Sequence, residues 1–348
     1  MWCSRIVLRE MDCMYSTFFD VYKLEEDEVK YKKSVAWKTA IGLQKVDDLE
    51  PSSYLYEIAK KHIEEDITFE YARELIKSYY IEKGIYESDS EEADKVSVRI
   101  VELISEDSFV FSPMEYINIH KRLFMDVFEH AGKIRDYNIS KKEWVLDGRS
   151  VVYGSYFNLK ETLEYDFSKE KEFSYIGLSK EELINHIARF ISDLWQIHIF
   201  CEGNTRTTAV FLIKYLRWIG FEVDNTLFLD NSWYFRNSLV RANYSNYPLG
   251  VEETTLYLEL FLENLLFKGN NDLSNKKLHI NYLNGKDLSN NEIVLLNILK
   301  ENSKITLEEC ACKMNKSLRT IKNIIKSLTE KNRLERVNGK KYGYWMIK

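Results

Sequence analysis

A segment of nine residues near the middle of the chain includes several side chains that can bind or react with a phosphate-containing substrate. Residues 198–206 read His-Ile-Phe-Cys-Glu-Gly-Asn-Thr-Arg. A histidine titrates near neutral pH and can take a proton from an attacking hydroxyl group. A glutamate is a hard oxygen ligand for magnesium, and an arginine can donate paired hydrogen bonds to phosphate oxygens. The segment therefore predicts a base at His198, a metal ligand at Glu202 and a cation at Arg206.

The backbone of the same segment predicts an anion site. Apolar residues at helical spacing end before residue 198, and a new helix is expected from about Asn204. The first turn of a helix has free N–H groups and the positive end of the helix dipole. Because Gly203 lacks a side chain, a ligand can approach the backbone closely there. We expect Gly203 and Asn204 to hold a phosphate group.

Each of these features also has a structural explanation. Most histidines in proteins are structural, and we assign that role to the other five, which are His62, His120, His130, His186 and His279. A Gly-Asn pair is usually a turn, and Glu and Arg four residues apart usually form a surface ion pair. From residue types alone, a phosphate site and a purely structural loop are both open.

The elements around the segment are predicted to be mainly helical. The chain has only 13 Gly and 3 Pro among 348 residues, which favours long helices. Ser179 followed by Glu182 is a capping box that begins a helix leading to the segment. One stretch differs, because Asp147-Gly148 between apolar residues is typical of a tight hairpin over residues 144–153. We expect a helical domain with one short hairpin.

Charge and apolar patterns divide the chain into three predicted regions. Residues 1–95 form a small helical region with an acidic connector, and residues 96–270 contain the segment above. Residues 285–348 hold 14 Lys and Arg against 7 Asp and Glu, so they carry +7, whereas the first 284 residues carry −13. Their three amphipathic helices, followed by two short strands joined at Asn338-Gly339, predict a winged helix-turn-helix.

The basic region predicts a partner without identifying it. Its third helix carries a row of cations and its wing carries two more, namely Lys316, Arg319, Lys322, Lys326, Lys340 and Lys341. Such side chains give salt-sensitive affinity for DNA through phosphate contacts. A winged helix that docks a protein or dimerises fits the same spacing. DNA is therefore a candidate partner through residues 285–348, and protein docking is the alternative.

Cysteine usage and hydropathy predict a cytoplasmic protein without a membrane partner. The five cysteines fit neither a disulfide framework nor a metal knuckle. The N-terminal residues lack an uninterrupted apolar stretch typical of a secretion signal. No run approaches the roughly 20 apolar residues of a membrane span.

The order of residues in 198–206 resembles the signature of the Fic family, His-x-Phe-x-[Asp/Glu]-Gly-Asn-Gly-Arg-x-x-Arg. The resemblance covers roughly residues 100–265, because residues 131–139 resemble the Gly-x-x-Arg stretch that leads into the family's flap. The hairpin expected at 144–153 lies where Fic proteins have that flap, which binds the target by strand addition. The resemblance implies a mainly α fold: a Fic helical bundle with a small β-hairpin flap, plus a C-terminal winged-helix domain.

The resemblance also implies a function, which is a protein adenylyltransferase that transfers AMP from ATP to a hydroxyl group of a target protein. His198 would be the general base and Glu202 would hold Mg²⁺. The residues implied to bind the nucleotide are Gly203, Asn204, Thr205, Arg206, Tyr234 and Asn243. The implied partners are ATP, a hydroxyl-bearing target that can be the protein itself, and a second copy in a homodimer.

Two positions depart from the family signature. Thr205 replaces its last glycine and Ala209 replaces its second arginine. Losing that arginine removes a γ-phosphate contact and the docking point of the inhibitory glutamate found in many Fic enzymes. The N-terminal region resembles the small antitoxins of Fic toxins, but Lys38 stands where their inhibitory pattern has Glu. We therefore expect glutamate inhibition to be lost, while the region can still cover the site.

Two other functions stay open at this level. The same residues could transfer another phosphate-containing group. A transcription regulator that senses nucleotide and uses the winged helix is the second alternative. Retention of His198 and Glu202 disfavours a sensor, because a sensor needs no base.

Overall fold

The computed structural model describes Phe19, Tyr22 and residues 27–84, 88–223, 225–283, 290–331, 333–337 and 343–347. The chain divides into two compact units, Met1–Leu278 and His279–Lys348. None of the helices in these ranges is both long and apolar enough to cross a membrane.

The first unit is helical. Its helices are α1 (Glu28–Gln44), α2 (Ser53–Ile63), α3 (Phe69–Lys83), α4 (Asp89–Ser105), α5 (Pro113–Phe124), α6 (Leu159–Glu172), α7 (Lys180–Ile197), α8 (Asn204–Trp218), α9 (Leu227–Ala242), α10 (Leu256–Phe267) and α11 (Asn275–Leu278). Several begin after a side chain that accepts a hydrogen bond from the first turn, as at Ser52, Thr68, Ser88, Ser112 and Ser179. The predicted capping box of α7 is confirmed.

Helix α8 is the centre of the first unit. Every residue of α8 from Asn204 to Leu216 is buried, and α4, α5 and α7 pack against it. The Lys214 ammonium donates to the carbonyl oxygen of Leu103 at 2.7 Å and of Glu106 at 3.0 Å, so a buried charge satisfies the end of α4. Each large apolar side chain of this core stabilises the fold by about 1.5–3 kcal/mol when fully buried. The N-terminus of α8 is therefore fixed in a well-packed core.

Helix α1 belongs to the same compact unit, packed against α4 and α9. A Cβ on Gly42 would lie 2.4 Å from the Cα of Leu229, so only glycine permits this approach. The Thr39 hydroxyl donates to the Asn225 carbonyl oxygen at 3.0 Å. Helix α4 runs through the predicted boundary at residues 95 and 96. The division into 1–95 and 96–270 stays a prediction, and both stretches pack together.

The predicted hairpin at residues 144–153 is reduced to a tight turn. Asp147 and Gly148 have φ of 57° and 79°, as the turn prediction requires, but the ladder is one antiparallel bridge between Glu143 and Arg149. Residues Trp144–Leu146 form a single 3-10 turn. The side chains of Val145 and Leu146 are both buried within this turn. The expectation of a two-stranded flap here is wrong.

The second unit contains α12 (Ile280–Leu283), α13 (Asn290–Glu301), α14 (Leu307–Met314), α15 (Leu318–Glu330), β1 (Leu334–Val337) and β2 (Tyr344–Ile347). The strands are antiparallel, with Leu334 opposite Ile347. Apolar residues of the helices and of β1 share one core, including Leu295, Cys310 and Ile321. The predicted order of three helices and a strand pair is confirmed. The turn at Asn338-Gly339 and the wing cations Lys340 and Lys341 lie outside the described residues, and the winged helix-turn-helix stays a prediction.

Candidate active site

A buried arginine holds the backbone of the loop at its histidine end. His198 ends α7 with φ of 48°, a left-handed conformation that costs a non-glycine residue about 1–2 kcal/mol. The Arg135 guanidinium compensates, because its Nε donates to the His198 carbonyl oxygen at 2.7 Å. Its Nη2 donates to the carbonyl oxygens of Gly154 and Ile197. Arg135, in the stretch predicted to lead into the flap, is thus a structural clamp on the loop.

The His198 imidazole is buried and in its neutral form. The ring packs between Tyr153 and Trp195, with centroid distances of 4.2 and 5.2 Å. Burial holds the pKa of His198 well below its usual range, and the nearby Lys141 ammonium lowers it further. Nδ1 lies 3.3 Å from the Trp195 carbonyl oxygen, an acceptor, so Nδ1 carries the proton. Nε2 is buried, has no hydrogen-bond partner in the described part of the chain and, in this tautomer, carries the free lone pair.

The middle of the loop is held by Asn204 and His120. The Asn204 side chain accepts from the Phe200 N–H at 3.0 Å and donates to the Phe200 carbonyl oxygen at 2.8 Å. His120 accepts from the Gly132 N–H on Nδ1, so its Nε2 donates to the Glu202 carbonyl oxygen at 3.0 Å. Burial lowers the pKa of His120 to about 3, which keeps it neutral. The structural role expected of His120 holds, but its contact with the loop was not visible in the sequence.

Gly203 has two independent reasons to be glycine. Its φ is 74°, and a Cβ there would lie 2.3 Å from the Phe124 ring. Since α8 begins at Asn204, the first N–H groups of the helix lie directly after Gly203. The Thr205 hydroxyl accepts from the Trp195 indole N–H at 3.0 Å. The side chains of Asn204 and Thr205 therefore brace the loop, and the backbone supplies the donors for an anion.

Glu202 lies on the surface of the loop. Its side chain is 55% exposed, and Oε2 is 2.8 Å from the Lys141 ammonium. No group of three or more candidate metal ligands occurs among the described residues. Magnesium in nucleotide sites commonly takes one or two carboxylates and completes its shell with phosphate oxygens and water. A single exposed carboxylate fits a magnesium ion that arrives with a nucleotide rather than a resident metal.

Arg206 is fully engaged by the protein itself. Its side chain is 2% exposed, and Nε lies 2.8 Å from Asp47 Oδ2. Nη2 donates to Glu92 Oε1 at 2.6 Å, and Nη1 donates to Gln44 Oε1 at 3.1 Å. The guanidinium also lies over the Phe124 ring at 4.8 Å. The cation predicted to bind phosphate is thus held by two carboxylates from the N-terminal helices.

A cavity of about 570 Å³ opens beside the loop. It is lined by Val46, Asp47, Asp48, Leu49, Glu92, Phe128, Lys142, Trp144, Glu202, Arg206, Trp233 and Arg236. Four carboxylates, three cations and three aromatic rings therefore face one space. The cavity brings Glu202 and Arg206 together. His198 belongs to the same loop, but it is 3% exposed and is not part of this lining.

Helix α9 faces the cavity with residues other than the expected ones. The Asn243 amide donates to Ser192 Oγ at 2.9 Å and to the Leu239 carbonyl oxygen at 2.9 Å. Tyr234 is buried, and neither it nor Asn243 lines the cavity. The helix instead presents Trp233 and Arg236, whose spacing of three places them on one face. That spacing is the signal in the sequence that could have identified them.

The residue that sequence reasoning missed most completely is Glu143. Its carboxylate is fully buried and accepts from Arg236 Nη1 at 2.5 Å, from Arg236 Nη2 at 3.1 Å and from the Tyr153 hydroxyl at 3.1 Å. Glu143 follows Lys141 and Lys142, so the local sequence is typical of a solvated turn. Its partner Arg236 is 93 residues away, where spacing gives no signal.

A model of the Fic/DOC family matches residues 110–216. The chain is 30% identical over 112 residues to the "Probable protein adenylyltransferase y4lH" of Sinorhizobium fredii. The aligned stretch covers 32% of this chain and 55% of that protein. It is 29% identical over 106 residues to "Protein adenylyltransferase VbhT" of Bartonella schoenbuchensis, covering 30% and 21%. The chain therefore spans about half the length of one relative and about a fifth of the other.

Two solved structures also resemble the chain. The N-terminal Fic domain of a Bartonella effector protein from Bartonella sp. AR 15-3 covers 51% of this chain and 83% of its own, with 20% identity and a TM-score of 0.41. A Fic family protein from Desulfovibrio desulfuricans G20 covers 97% and 93%, with 10% identity and a TM-score of 0.42.

Proposed function

We propose that this chain, whose residues 110–216 form a Fic/DOC domain, is a protein adenylyltransferase that transfers AMP from ATP to a hydroxyl group of a target protein. One observation carries the proposal. A neutral imidazole with an unpartnered Nε2, an exposed carboxylate and a helix N-terminus occur within seven residues, at His198, Glu202 and Asn204. The names of the two relatives add support from homology.

The nucleotide would lie in the cavity with its phosphates toward the loop. The N–H groups that begin α8, after Gly203, would donate to the α-phosphate. Trp144 and Trp233 offer aromatic surface for the nucleobase, and Lys142 adds a cation on the same wall. Glu202 would hold Mg²⁺, which supplies charge neutralisation on the phosphates when bound. Lys141 would have to leave Glu202 for that to happen, because it lies 2.8 Å from Oε2.

His198 would act as the base. Because burial keeps its pKa low, the neutral ring is the dominant form at neutral pH and Nε2 can accept a proton. The target hydroxyl would lose its proton to Nε2 while its oxygen forms a bond to the α-phosphorus. The bond from the α-phosphorus to the bridging oxygen would break, and pyrophosphate would leave with that electron pair. The first N–H groups of α8 would stabilise the charge on the α-phosphate.

Labelled ATP tests the group transferred. The full chain, alone and with candidate protein targets, is incubated with ATP carrying ³²P on the α or the γ phosphate. We expect the α label to enter protein in the presence of Mg²⁺ and the γ label to remain in pyrophosphate. Entry of the γ label would instead support the alternative transfer of a phosphate group, and label in neither case would leave the nucleotide-sensing regulator as the better account.

We also propose that the N-terminal helices restrain the site, although the inhibitory glutamate pattern is absent. The support is the position of two carboxylates against Arg206: Glu92 accepts a hydrogen bond from its guanidinium, and Asp47 Oδ2 lies 2.8 Å from Nε, where a phosphate oxygen would otherwise bind. Deleting this region is a poor test, because α1 is packed in the core against α4 and α9. Substitution of Asp47 and Glu92 by their amides tests the restraint with α1 left in place.

The second unit supports a separate proposal, which is contact with DNA. Buried residues on one side of α15 leave its cations exposed, namely Arg319, Lys322 and Lys326. A gel-shift titration of the full chain at rising salt tests this, since phosphate contacts weaken steeply with salt. The triple variant with glutamine at these positions should lose the shift. Retained or salt-independent binding would favour protein docking. Dimerisation and a cytoplasmic location stay predictions.

A further inference from the structure

A buried carboxylate connects the tight turn, the cavity wall and the ring of the candidate base. Glu143 is the residue at which the turn closes, because its N–H donates to the Arg149 carbonyl oxygen at 2.9 Å and its carbonyl oxygen accepts from the Gly148 N–H at 3.0 Å. Its side chain points inward and is fully buried. Removing a charge from water costs several kcal/mol unless partners compensate. The partners of this carboxylate therefore define what it does.

The first partner is Arg236, which binds both carboxylate oxygens of Glu143, at 2.5 and 3.1 Å. The pair fixes the turn to α9 at the point where Arg236 faces the cavity. Such a two-point contact between a guanidinium and a carboxylate sets the angle as well as the distance. Lys141, two residues before Glu143, donates to Glu202 Oε2. One short segment thus contacts the candidate metal ligand and the cavity wall.

The second partner is Tyr153, whose hydroxyl donates to Glu143 Oε1 at 3.1 Å. The Tyr153 ring lies against the His198 ring at a centroid distance of 4.2 Å. The hydrogen bonds of the imidazole do little to fix its orientation. Nδ1 lies 3.3 Å from the Trp195 carbonyl oxygen, and Nε2 has no hydrogen-bond partner in the described chain. The orientation of His198 therefore depends on the rings beside it, and Tyr153 is the one anchored to a charge.

We propose that Glu143 is a positioning residue for His198, acting through the hydroxyl and ring of Tyr153 while its bond to Arg236 fixes the turn to the cavity wall. The inference rests on the proposed function, in which His198 is the base. Glu143 is fully buried and does not line the cavity, so its role is to hold the imidazole in the orientation in which Nδ1 faces the Trp195 carbonyl oxygen and keeps the proton.

Two substitutions distinguish the contact of Glu143 with Tyr153 from its contact with Arg236. Tyr153→Phe removes the hydroxyl bond and keeps both the ring and the ion pair, so it leaves the fold intact. Glu143→Gln keeps the shape and removes the charge that pairs with Arg236. The matched control is Asp147→Asn, since Asp147 is another carboxylate of the same turn whose side chain is 48% exposed and 3.4 Å from Arg149. Thermal unfolding of each variant shows that it is folded at the assay temperature.

The first measurement is the imidazole ¹⁵N NMR spectrum of the nucleotide-free full chain, with His198 assigned by its absence in His198→Ala. In the wild type and in Asp147→Asn we expect a single tautomer with the proton on Nδ1. Tyr153→Phe and Glu143→Gln should each give a mixture of tautomers. Signals of His198 identical to the wild type in both variants would overturn the proposal. This measurement does not require activity, so its outcome is independent of whether AMP transfer occurs.

The second measurement is the steady-state rate of α-label transfer. We expect Tyr153→Phe to lower kcat about tenfold with an unchanged KM for ATP, because the cavity wall is untouched. The double variant Tyr153→Phe/Glu143→Gln should be no slower than Glu143→Gln alone, because both substitutions disrupt the same contact between Glu143 and Tyr153. Losses that multiply, or a kcat equal to that of the wild type, would overturn the proposal. A wild type that transfers no α label would refute the proposed function, and the NMR result would still decide the role of Glu143.

Discussion

The functional side chains at the two ends of the 198–206 loop differ in how far the protein itself occupies their hydrogen-bonding groups. At one end, the neutral ring of His198 presents an Nε2 without a partner among the described residues. At the other end, Arg206 is surrounded by Asp47, Glu92 and Gln44. The proton acceptor is therefore neutral and free of hydrogen bonds to the described chain, although it is buried, whereas Arg206 is paired with the protein's own carboxylates. The restraint proposed above therefore acts at Arg206.

The competition at Arg206 has an electrostatic basis. A carboxylate and a phosphate group compete for the same N–H groups of the guanidinium. Removing one partner of a buried ion pair destabilises a protein by about 3–5 kcal/mol. In the proposed function, a nucleotide bound at Arg206 would have to replace the carboxylates without leaving the arginine unpaired. Asp47 and Glu92 are 28% and 21% exposed, so each can move toward solvent when phosphate takes its place.

The largest effect is expected at the glycine that joins the two ends. Gly203→Ala adds a Cβ 2.3 Å from the Phe124 ring at a φ of 74°. We expect it to lower the free energy of unfolding by about 3 kcal/mol and to abolish transfer. Gly148→Ala is the matched control, because its φ is 79° but no atom lies within 4 Å of the added carbon. Urea unfolding should show a loss of only about 1 kcal/mol in the control. Equal losses would mean that strain, and not the clash, sets the requirement.

The next effect concerns the restraint at Arg206. The double variant Asp47→Asn/Glu92→Gln keeps the shapes and removes both charges. We expect α-label transfer to rise about tenfold to a hundredfold, equal to about 1.4–2.7 kcal/mol. Asp48→Asn is the control, since Asp48 lines the same cavity but is not paired with Arg206. A rate that stays constant or falls in the double variant would show that the carboxylates position Arg206 instead of blocking it.

A smaller effect is expected at the histidine end. Arg135→Lys keeps the charge but cannot reach the carbonyl oxygens of His198, Gly154 and Ile197 together. The left-handed backbone at His198 then loses its support, and we expect kcat to fall about tenfold with little change in the KM for ATP. The kinetic split checks which end is affected. A change confined to KM would place Arg135 in nucleotide binding.

The smallest effect on transfer is expected at Asp94, which accepts hydrogen bonds from Ser52 and Tyr80. Burial raises the pKa of Asp94 from 3.8 to about 6. The folded state therefore binds this proton more tightly than the unfolded chain does. The carboxyl contributes stability that is complete below about pH 4 and is lost as the pH rises through 6.

Urea unfolding at pH 4–7 checks this sign. The wild type should lose up to about 3 kcal/mol relative to Asp94→Asn as the pH rises over that range. At pH 7, transfer by the two proteins should agree within about twofold. A wild type that gains stability relative to the variant with rising pH would contradict the raised pKa.

The sequence predicts local features of the fold and site well. The capping box at Ser179, the tight turn at Asp147-Gly148 and the helix start at Asn204 depend on neighbouring residues, and all are confirmed. The expected flap strands are replaced by a 3-10 turn at Trp144–Leu146 and one bridge between Glu143 and Arg149.

Long-range contacts were the part that could not be predicted. The partners of Arg206 are 114 and 162 residues away at Glu92 and Gln44, and Arg236 is 93 residues from Glu143. No spacing rule connects such positions. For α9, the sequence analysis named Tyr234 and Asn243, whereas Trp233 and Arg236, three residues apart, line the cavity.

The most direct test of the account is the loss of transfer on removing the base. The full chain and His198→Ala are compared for incorporation of the α label from ATP, with His186→Gln as a control, since His186 is hydrogen-bonded to Glu170 outside the loop. We expect His198→Ala to lower the rate of α-label transfer by at least about a hundredfold. His186→Gln should transfer the label at the wild-type rate. Transfer by His198→Ala at the wild-type rate would contradict the assignment of His198 as the base.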